Sequence, residues 1–128
     1  MRMKVLESAE NYLEAILMIR EEKGMVRAID VVNHLGFSKP SVSVAMKHLE
    51  ADDLIRRNKD GFIYLTESGE EIAEMIFERH NLLTDIFVRI GVNPETARED
   101  ACKIEHDLSE ETFEQIKRAY TAHKDEYK

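Results

Sequence analysis

Residues 28–65 read AIDVVNHLGFSKPSVSVAMKHLEADDLIRRNKDGFIYL, and this stretch decides the fold. A short helix is expected from about Ala28, with Ile29, Val32 and Leu35 turned inward, stopping at Gly36. After a two-residue break, Ser38 stands as the N-cap of another helix. Pro40 sits in its first turn, where a missing N–H costs nothing, and Val42, Met46 and Leu49 form its apolar stripe. Beyond Leu54-Ile55, Asp60-Gly61 between extended segments signals a hairpin, because glycine accepts the positive φ that tight turns demand. Helix, turn, helix and basic hairpin in this order make a winged helix-turn-helix.

Working outward, Ser8 is expected to cap a first helix with Tyr12, Ile16 and Ile19 at helical spacing, Leu13 and Leu17 beside them, and Gly24 at its end. Downstream, Ser68 with Glu71 reads as a capping box that opens a long helix to about Ile90. Gly91 breaks it, and Asn93-Pro94 opens a further helix through about Asp107. Ser109-Glu110-Glu111 then caps a last helix to about Ala122, before a polar tail. The expected fold is mainly α, with an N-terminal winged half over residues 1–66 and an all-helical half over residues 67–128.

The chain of 128 residues is 43% apolar and 34% charged, as expected of a globular protein rich in amphipathic helices. No apolar run reaches the roughly 18 residues a membrane helix needs. The start, Met1 to Glu7, lacks the apolar stretch of a secretory signal, and a single cysteine, Cys102, rules out an internal disulfide framework; a reducing cytoplasm is the expected location. Net charge is −8, unevenly spread. Up to Thr66 there are 10 basic and 10 acidic residues, whereas the remainder holds 8 basic and 16 acidic. Nucleic acid responds to the local field of a docking face, so a neutral half beside an acidic half is compatible with DNA at one end and cations at the other.

In the second helix of the helix-turn-helix, Ser38, Lys39, Pro40, Ser41, Ser43, Val44 and Lys47 lie off the apolar stripe, mostly near the N-terminal end that enters a major groove. Hydroxyls and helix-terminal N–H groups there suit phosphates or base edges, and Val44 suits a thymine methyl. Arg56, Arg57 and Lys59 on the wing are expected to neutralise phosphates, and Arg27 joins the set of candidate DNA contacts. The alternative is a small helical core with a solvated hairpin.

Cys102, Glu105 and His106 fall at i, i+3 and i+4, so that thiolate, carboxylate and imidazole share one helix face. Asn11 and Glu14 lie three apart on the first helix, and His80 follows Arg79 on the long one. Such a donor set suits a first-row transition metal better than calcium or magnesium. Plainer readings stand beside this one: Cys102 as a small buried apolar residue, Glu14 and Glu105 as surface charges, His80 as a polar helix residue. A Cys102–His106 nucleophile pair lacks an orienting third group and an evident oxyanion hole, so the expectation is not an enzyme.

The ordered set Glu10-Asn11-Tyr12-Leu13-Glu14, Ser38-Lys39-Pro40-Ser41-Val42-Ser43, Arg79-His80-Asn81-Leu82-Leu83 and Ala101-Cys102-Lys103-Ile104-Glu105-His106 resembles the diphtheria-toxin-repressor and manganese-transport-regulator family of metal-dependent repressors. The resemblance runs from Ser8 to about Ala122. It implies a winged-helix DNA-binding domain (1–66) and a helical dimerisation and metal-binding domain (67–128), with metal bound between them by Asn11, Glu14, His80, Cys102, Glu105 and His106. Some iron-type members add a barrel-like third domain. This chain ends too early for one, so the shorter manganese-type architecture is expected.

The ligand set is mixed. Asn11 stands where iron-type members have Met and manganese-type members have Asp. Cys102 matches the iron type, where manganese-type members carry Glu, and Glu14 matches the manganese type. Thr84 and Arg98 replace the Glu and His of an ancillary iron-type site. A thiolate favours Fe(II), Co(II) or Zn(II) over Mn(II), so Fe(II) is expected first and Mn(II) second, with Zn(II) or Co(II) binding in vitro. The implied partners are a palindromic double-stranded DNA operator at metal-uptake genes and a second copy of the chain. Neither a membrane nor an organic small molecule is implied. Ile76, Leu82, Leu83, Ile86 and Phe87 offer apolar surface for the homodimer.

Overall fold

The structure is a computed structural model and describes residues 7–123. The sequence readings of the first six residues and of the polar tail beyond His123 lie outside the described residues. Six helices and one hairpin follow in the order α1 (Glu7–Lys23), α2 (Ala28–Leu35), α3 (Lys39–Ala51), β1 (Ile55–Arg57), β2 (Ile63–Leu65), α4 (Glu67–Arg89), α5 (Pro94–Ile104) and α6 (Glu110–His123). This is the mainly helical architecture that the sequence predicts. Two compact units divide within α4, one running to Met75 and the other from Ile76. Among the described residues no helix is long and apolar enough to cross a membrane.

In the first unit, Leu13, Ile16, Val31, Val42, Met46 and Ile55 are buried almost completely. They come from α1, α2, α3 and β1, so the winged unit has a core of its own. α2 ends where Gly36 takes φ 73° and its N–H bonds to the Val32 carbonyl. On α2 the inward residue is Val31, fully buried, whereas Ile29 is 44% exposed. The helix is too short for its periodicity to settle which face is covered. Ser38 caps α3 as expected, its Oγ accepting from the Ser41 N–H at 3.2 Å, and Pro40 stands in the first turn.

The strands pair antiparallel with Ile55 opposite Leu65 and Arg57 opposite Ile63. Asn58 N–H bonds to the Phe62 carbonyl and Gly61 N–H to the Asn58 carbonyl, which closes a loop of Lys59, Asp60 and Gly61. Gly61 holds φ 84° there, the left-handed position of such a three-residue hairpin loop. The Asn58 side chain secures the loop from inside, its Oδ1 accepting from the N–H groups of Asp60 and Phe62 at 3.0 and 2.9 Å.

Two expected caps move. α1 already contains Glu7 and Ser8, so Ser8 is a helical residue and not the cap. α4 starts at Glu67 with Thr66 as its cap: Thr66 Oγ1 accepts from the Gly69 N–H at 3.1 Å, and the Ser68–Glu71 box does not form. The register is set from a distance. Thr66 N–H bonds to the Leu54 carbonyl at 3.1 Å, and a Cβ on Gly69 would stand 2.0 Å from that carbonyl oxygen. Only glycine admits this approach of strand end to helix start.

In the second unit, Ile76, Leu83, Ala97, Ala101, Phe113 and Tyr120 are buried. Asn93 caps α5 by accepting from the Glu95 N–H at 2.9 Å, and Ser109 caps α6 by accepting from the Thr112 N–H at 3.1 Å. α5 stops at Ile104, short of the expected Asp107. Its last i→i−4 bond runs from Glu105 N–H to the Ala101 carbonyl, and a tighter one follows from Asp107 N–H to the Ile104 carbonyl. The carbonyls of Glu105 and Leu108 instead accept from the Arg79 guanidinium of α4, at 3.0 and 2.7 Å.

Candidate functional site

The turn after α5 presents two side chains to α4. Glu105 is 0% exposed, and the side chains of His106 and His80 are 1% and 16% exposed. His80 Nδ1 lies 2.9 Å from Glu105 Oε2, and His106 Nε2 lies 3.4 Å from Glu105 Oε1. Glu105 Oε1 has no hydrogen bond among the described residues. A buried carboxylate is costly unless positive charge or hydrogen bonds offset it, and two imidazoles with one such oxygen make a hard-to-borderline N/O donor set. These residues therefore fit a divalent transition metal. Arg79 is the neighbour that sequence reasoning missed: 5% exposed, it bonds the two turn carbonyls and sets its guanidinium 5.1 Å from the Phe113 ring centre. Its place beside His80 was visible in the sequence. Its long-range partners were not.

The remaining expected ligands lie as follows. Glu14 is buried on α1, and Asn11 on the same helix is half-buried. Glu14 and Glu105 are thus not surface charges. Cys102 is exposed on α5 and is not a small core residue. Within the second unit the close contacts join His80, Glu105 and His106 through the Glu105 carboxylate. Thr84 Oγ1 is buried without a hydrogen bond among the described residues, and Arg98 is exposed.

On the winged unit, Ser38, Lys39, Pro40, Ser41, Ser43, Val44 and Lys47 are all exposed on α3 or its cap. Val44 is 55% exposed. An apolar side chain so placed has no core to serve, and among hydroxyls and lysines it suits the floor of a groove. Arg56 and Lys59 are exposed on the wing, and Arg56 Nη2 lies 3.7 Å from the exposed Asp53 carboxylate. Arg57 is engaged more firmly, donating to Glu50 of α3 at 2.9 Å and holding that carboxyl below its ordinary pKa. Arg27 caps α2 and sets its guanidinium 4.2 Å from the Phe62 ring centre, tying the wing to the helix-turn-helix. Glu50 and Phe62 were not expected to matter. Both act through partners several residues away.

Comparison with known proteins agrees in both halves. Residues 4–62 match the family model of the iron dependent repressor, N-terminal DNA binding domain. Residues 66–124 match that of the iron dependent repressor, metal binding and dimerisation domain. Transcriptional regulator MntR of Escherichia coli O6:H1 is 36% identical over 108 residues, 84% of this chain and 70% of that protein. HTH-type transcriptional regulator MntR of Bacillus subtilis (strain 168) is 34% identical over 109 residues, 85% of this chain and 77% of that protein. Among solved structures, T. acidophilum IdeR superimposes with a TM-score of 0.78 at 27% identity, covering 94% of this chain and 56% of that one. A manganese-dependent transcriptional repressor in complex with manganese gives 0.78 at 25% identity, covering 87% and 51%. The chain thus spans about half the length of those two solved chains. With a DNA-binding and a metal-binding, dimerising half in the same order as its relatives, the chain belongs to the iron-dependent repressor family of metal-dependent transcription regulators.

Proposed function

We propose that this protein is a homodimeric, cytoplasmic repressor of metal-uptake genes that binds a palindromic operator when a divalent metal occupies His80, Glu105 and His106, with Mn(II) ahead of Fe(II). The observation that carries this reading is the fully buried Glu105 carboxylate between two imidazoles. The expectation of Fe(II) first rested on the Cys102 thiolate. Cys102 is exposed, and an imidazole–carboxylate set without it serves Mn(II) as well as Fe(II). The relative solved with manganese adds weight to Mn(II).

When bound, the cation supplies positive charge beside buried carboxylates and joins ligands from distant parts of the chain. Asn11 and Glu14, which the resemblance adds to the set, belong to α1 of the winged half. On that resemblance, a metal held also by His80 and by the turn after α5 would give the two α3 helices of a dimer one separation, as half-sites on DNA require. DNA and metal then each tighten binding of the other by one common factor. Ile76 and Leu83, expected at the dimer face, are buried within the chain; the exposed apolar side chains of Val88, Ile90 and Ile104 support a dimer face on the second unit instead.

The test is retention of genomic DNA fragments by reduced, metal-free protein with and without Mn(II), Fe(II), Co(II) or Zn(II). A palindromic site retained only with metal, Mn(II) being most effective, is the expected result. Equal retention in all samples sinks the metal-dependence. Fe(II) as the most effective ion reverses the order of the two metals.

A further inference from the structure

We infer that Arg79 is the positioning residue of the metal centre: it fixes the path of the 105–108 turn and so aims Glu105 and His106 at His80. The inference rests on the proposed metal reading and adds to it a residue that touches no ligand atom. Three observations carry it. First, Arg79 is 5% exposed, yet its Nη1 donates to two main-chain carbonyls, Glu105 at 3.0 Å and Leu108 at 2.7 Å. These carbonyls lie on the turn where α5 ends and before α6 begins, so no helix ladder fixes the path between them. Second, the Phe113 ring of α6 lies against the same guanidinium at 5.1 Å, and Phe113 is itself buried. One planar group thus joins α4, the turn and α6. Third, Arg79 and His80 are neighbours on α4 and address the same residue: Arg79 takes the Glu105 carbonyl and His80 its carboxylate. The main chain and the side chain of one ligand are held from one point on α4.

Placing a permanent cation next to a cation site is electrostatically adverse. On charge alone, removing Arg79 would tighten metal binding. Positioning predicts the opposite sign, because an untethered turn must be ordered each time the ligands converge. Lysine carries donors enough for two carbonyls, but its compact, strongly hydrated ammonium lacks the plane that lies against the Phe113 ring, so it does not replace arginine here.

The experiment titrates the full-length, metal-free chain with Co(II) alone, reading the dissociation constant and the visible Co(II) band, with helicity and thermal midpoint measured on the same samples. Arg79→Gln and Arg79→Lys are expected to stay helical, to bind Co(II) at least tenfold more weakly than wild type, and to show an altered band. His106→Ala is the control for loss of a ligand. Folded variants whose binding is weakened less than threefold, with the wild-type band, overturn the assignment, as does tighter binding by Arg79→Gln. Should both arginine variants unfold, Phe113→Leu decides: weakening of threefold or more supports the role, and unchanged binding overturns it. A wild-type chain that binds no Co(II) overturns the metal reading itself, which separates that failure from failure of the Arg79 assignment.

Discussion

The Arg57 guanidinium of the wing donates to the Glu50 carboxylate of the recognition helix at 2.9 Å, so one of the wing's three cations is already neutralised within the protein. Each phosphate neutralised by a free cation contributes about −0.9 to the slope of log affinity against log salt. Lys59→Ala is therefore expected to reduce the magnitude of that slope by about 0.9, within the same rule for a free cation. Arg57→Ala should change it by less than half as much, and Glu50→Gln should steepen it by releasing Arg57. Fluorescence anisotropy on an operator fragment at several salt concentrations, with metal present, measures all three. Equal slope changes for Lys59→Ala and Arg57→Ala would show that Arg57 leaves Glu50 for the backbone of DNA.

Gly69→Ala should destabilise the winged unit although it places a better helix former in a helix. The propensity gain is about 1 kcal/mol. Against it stands a Cβ only 2.0 Å from the Leu54 carbonyl oxygen, a clash with backbone that no rotamer relieves. Overpacking of this kind costs about 1–3 kcal/mol, and backbone-to-backbone conflict belongs at the upper end. Urea unfolding should show a lower midpoint, and a raised midpoint would mean that strand and helix start separate freely.

The bidentate pair of Arg20 with Glu70, at 2.6 Å for each bond, should make stability depend on pH in the acid range. Hydrogen bonding to Arg20 holds the Glu70 carboxyl below its ordinary value of 4.5. A carboxyl with a depressed folded-state pKa contributes its stability above the unfolded value and loses it as pH falls through the folded one. The contribution is thus complete at neutral pH and declines below about 4.5. Both side chains are partly exposed, so about 1 kcal/mol is the scale to expect. Glu70→Gln should lower neutral-pH stability by about that amount and flatten the acid dependence; a variant with the wild-type pH profile would assign that dependence to other carboxyls.

Cys102 and the two buried residues proposed as ligands should separate cleanly on mutation. Cys102 is exposed, whereas Glu105 and His106 are enclosed. Cys102→Ser is expected to keep Mn(II)-dependent operator binding within about threefold, a change worth well under 1.4 kcal/mol. Glu105→Ala and His106→Ala are expected to abolish it. Native metal-free protein should also be alkylated by iodoacetamide at Cys102 without loss of helicity. Loss of metal response in Cys102→Ser would return the thiolate to the ligand set.

Local chemistry made much of the fold legible. Ser38-Lys39-Pro40, Gly36, Asn93-Pro94, Ser109 and Asp60-Gly61 each determine an end or a turn by short-range bonds, and each works as read. What the sequence hid is set by distant partners. Thr66 and Ser68 offer equal hydroxyls, and the choice falls to Thr66 where the Leu54 carbonyl meets its N–H. Periodicity alone cannot see that approach. The end of α5 was read three residues too far because the Glu105 and Leu108 carbonyls go to Arg79 on another helix. The chain tightens after Ile104, and Glu105 and His106 are enclosed there while Cys102 is exposed.

Arg79 grips the turn by carbonyl oxygens, a group that every residue type brings. The two bonds that anchor residues 105–108 are accordingly made to the main chain, whichever side chain position 105 carries. The turn is a socket and position 105 its pin: the backbone anchorage belongs to the socket, and the Glu105 carboxylate is what this chain seats in it. The grip and the group it presents are thus set by different residues, Arg79 for the one and position 105 for the other.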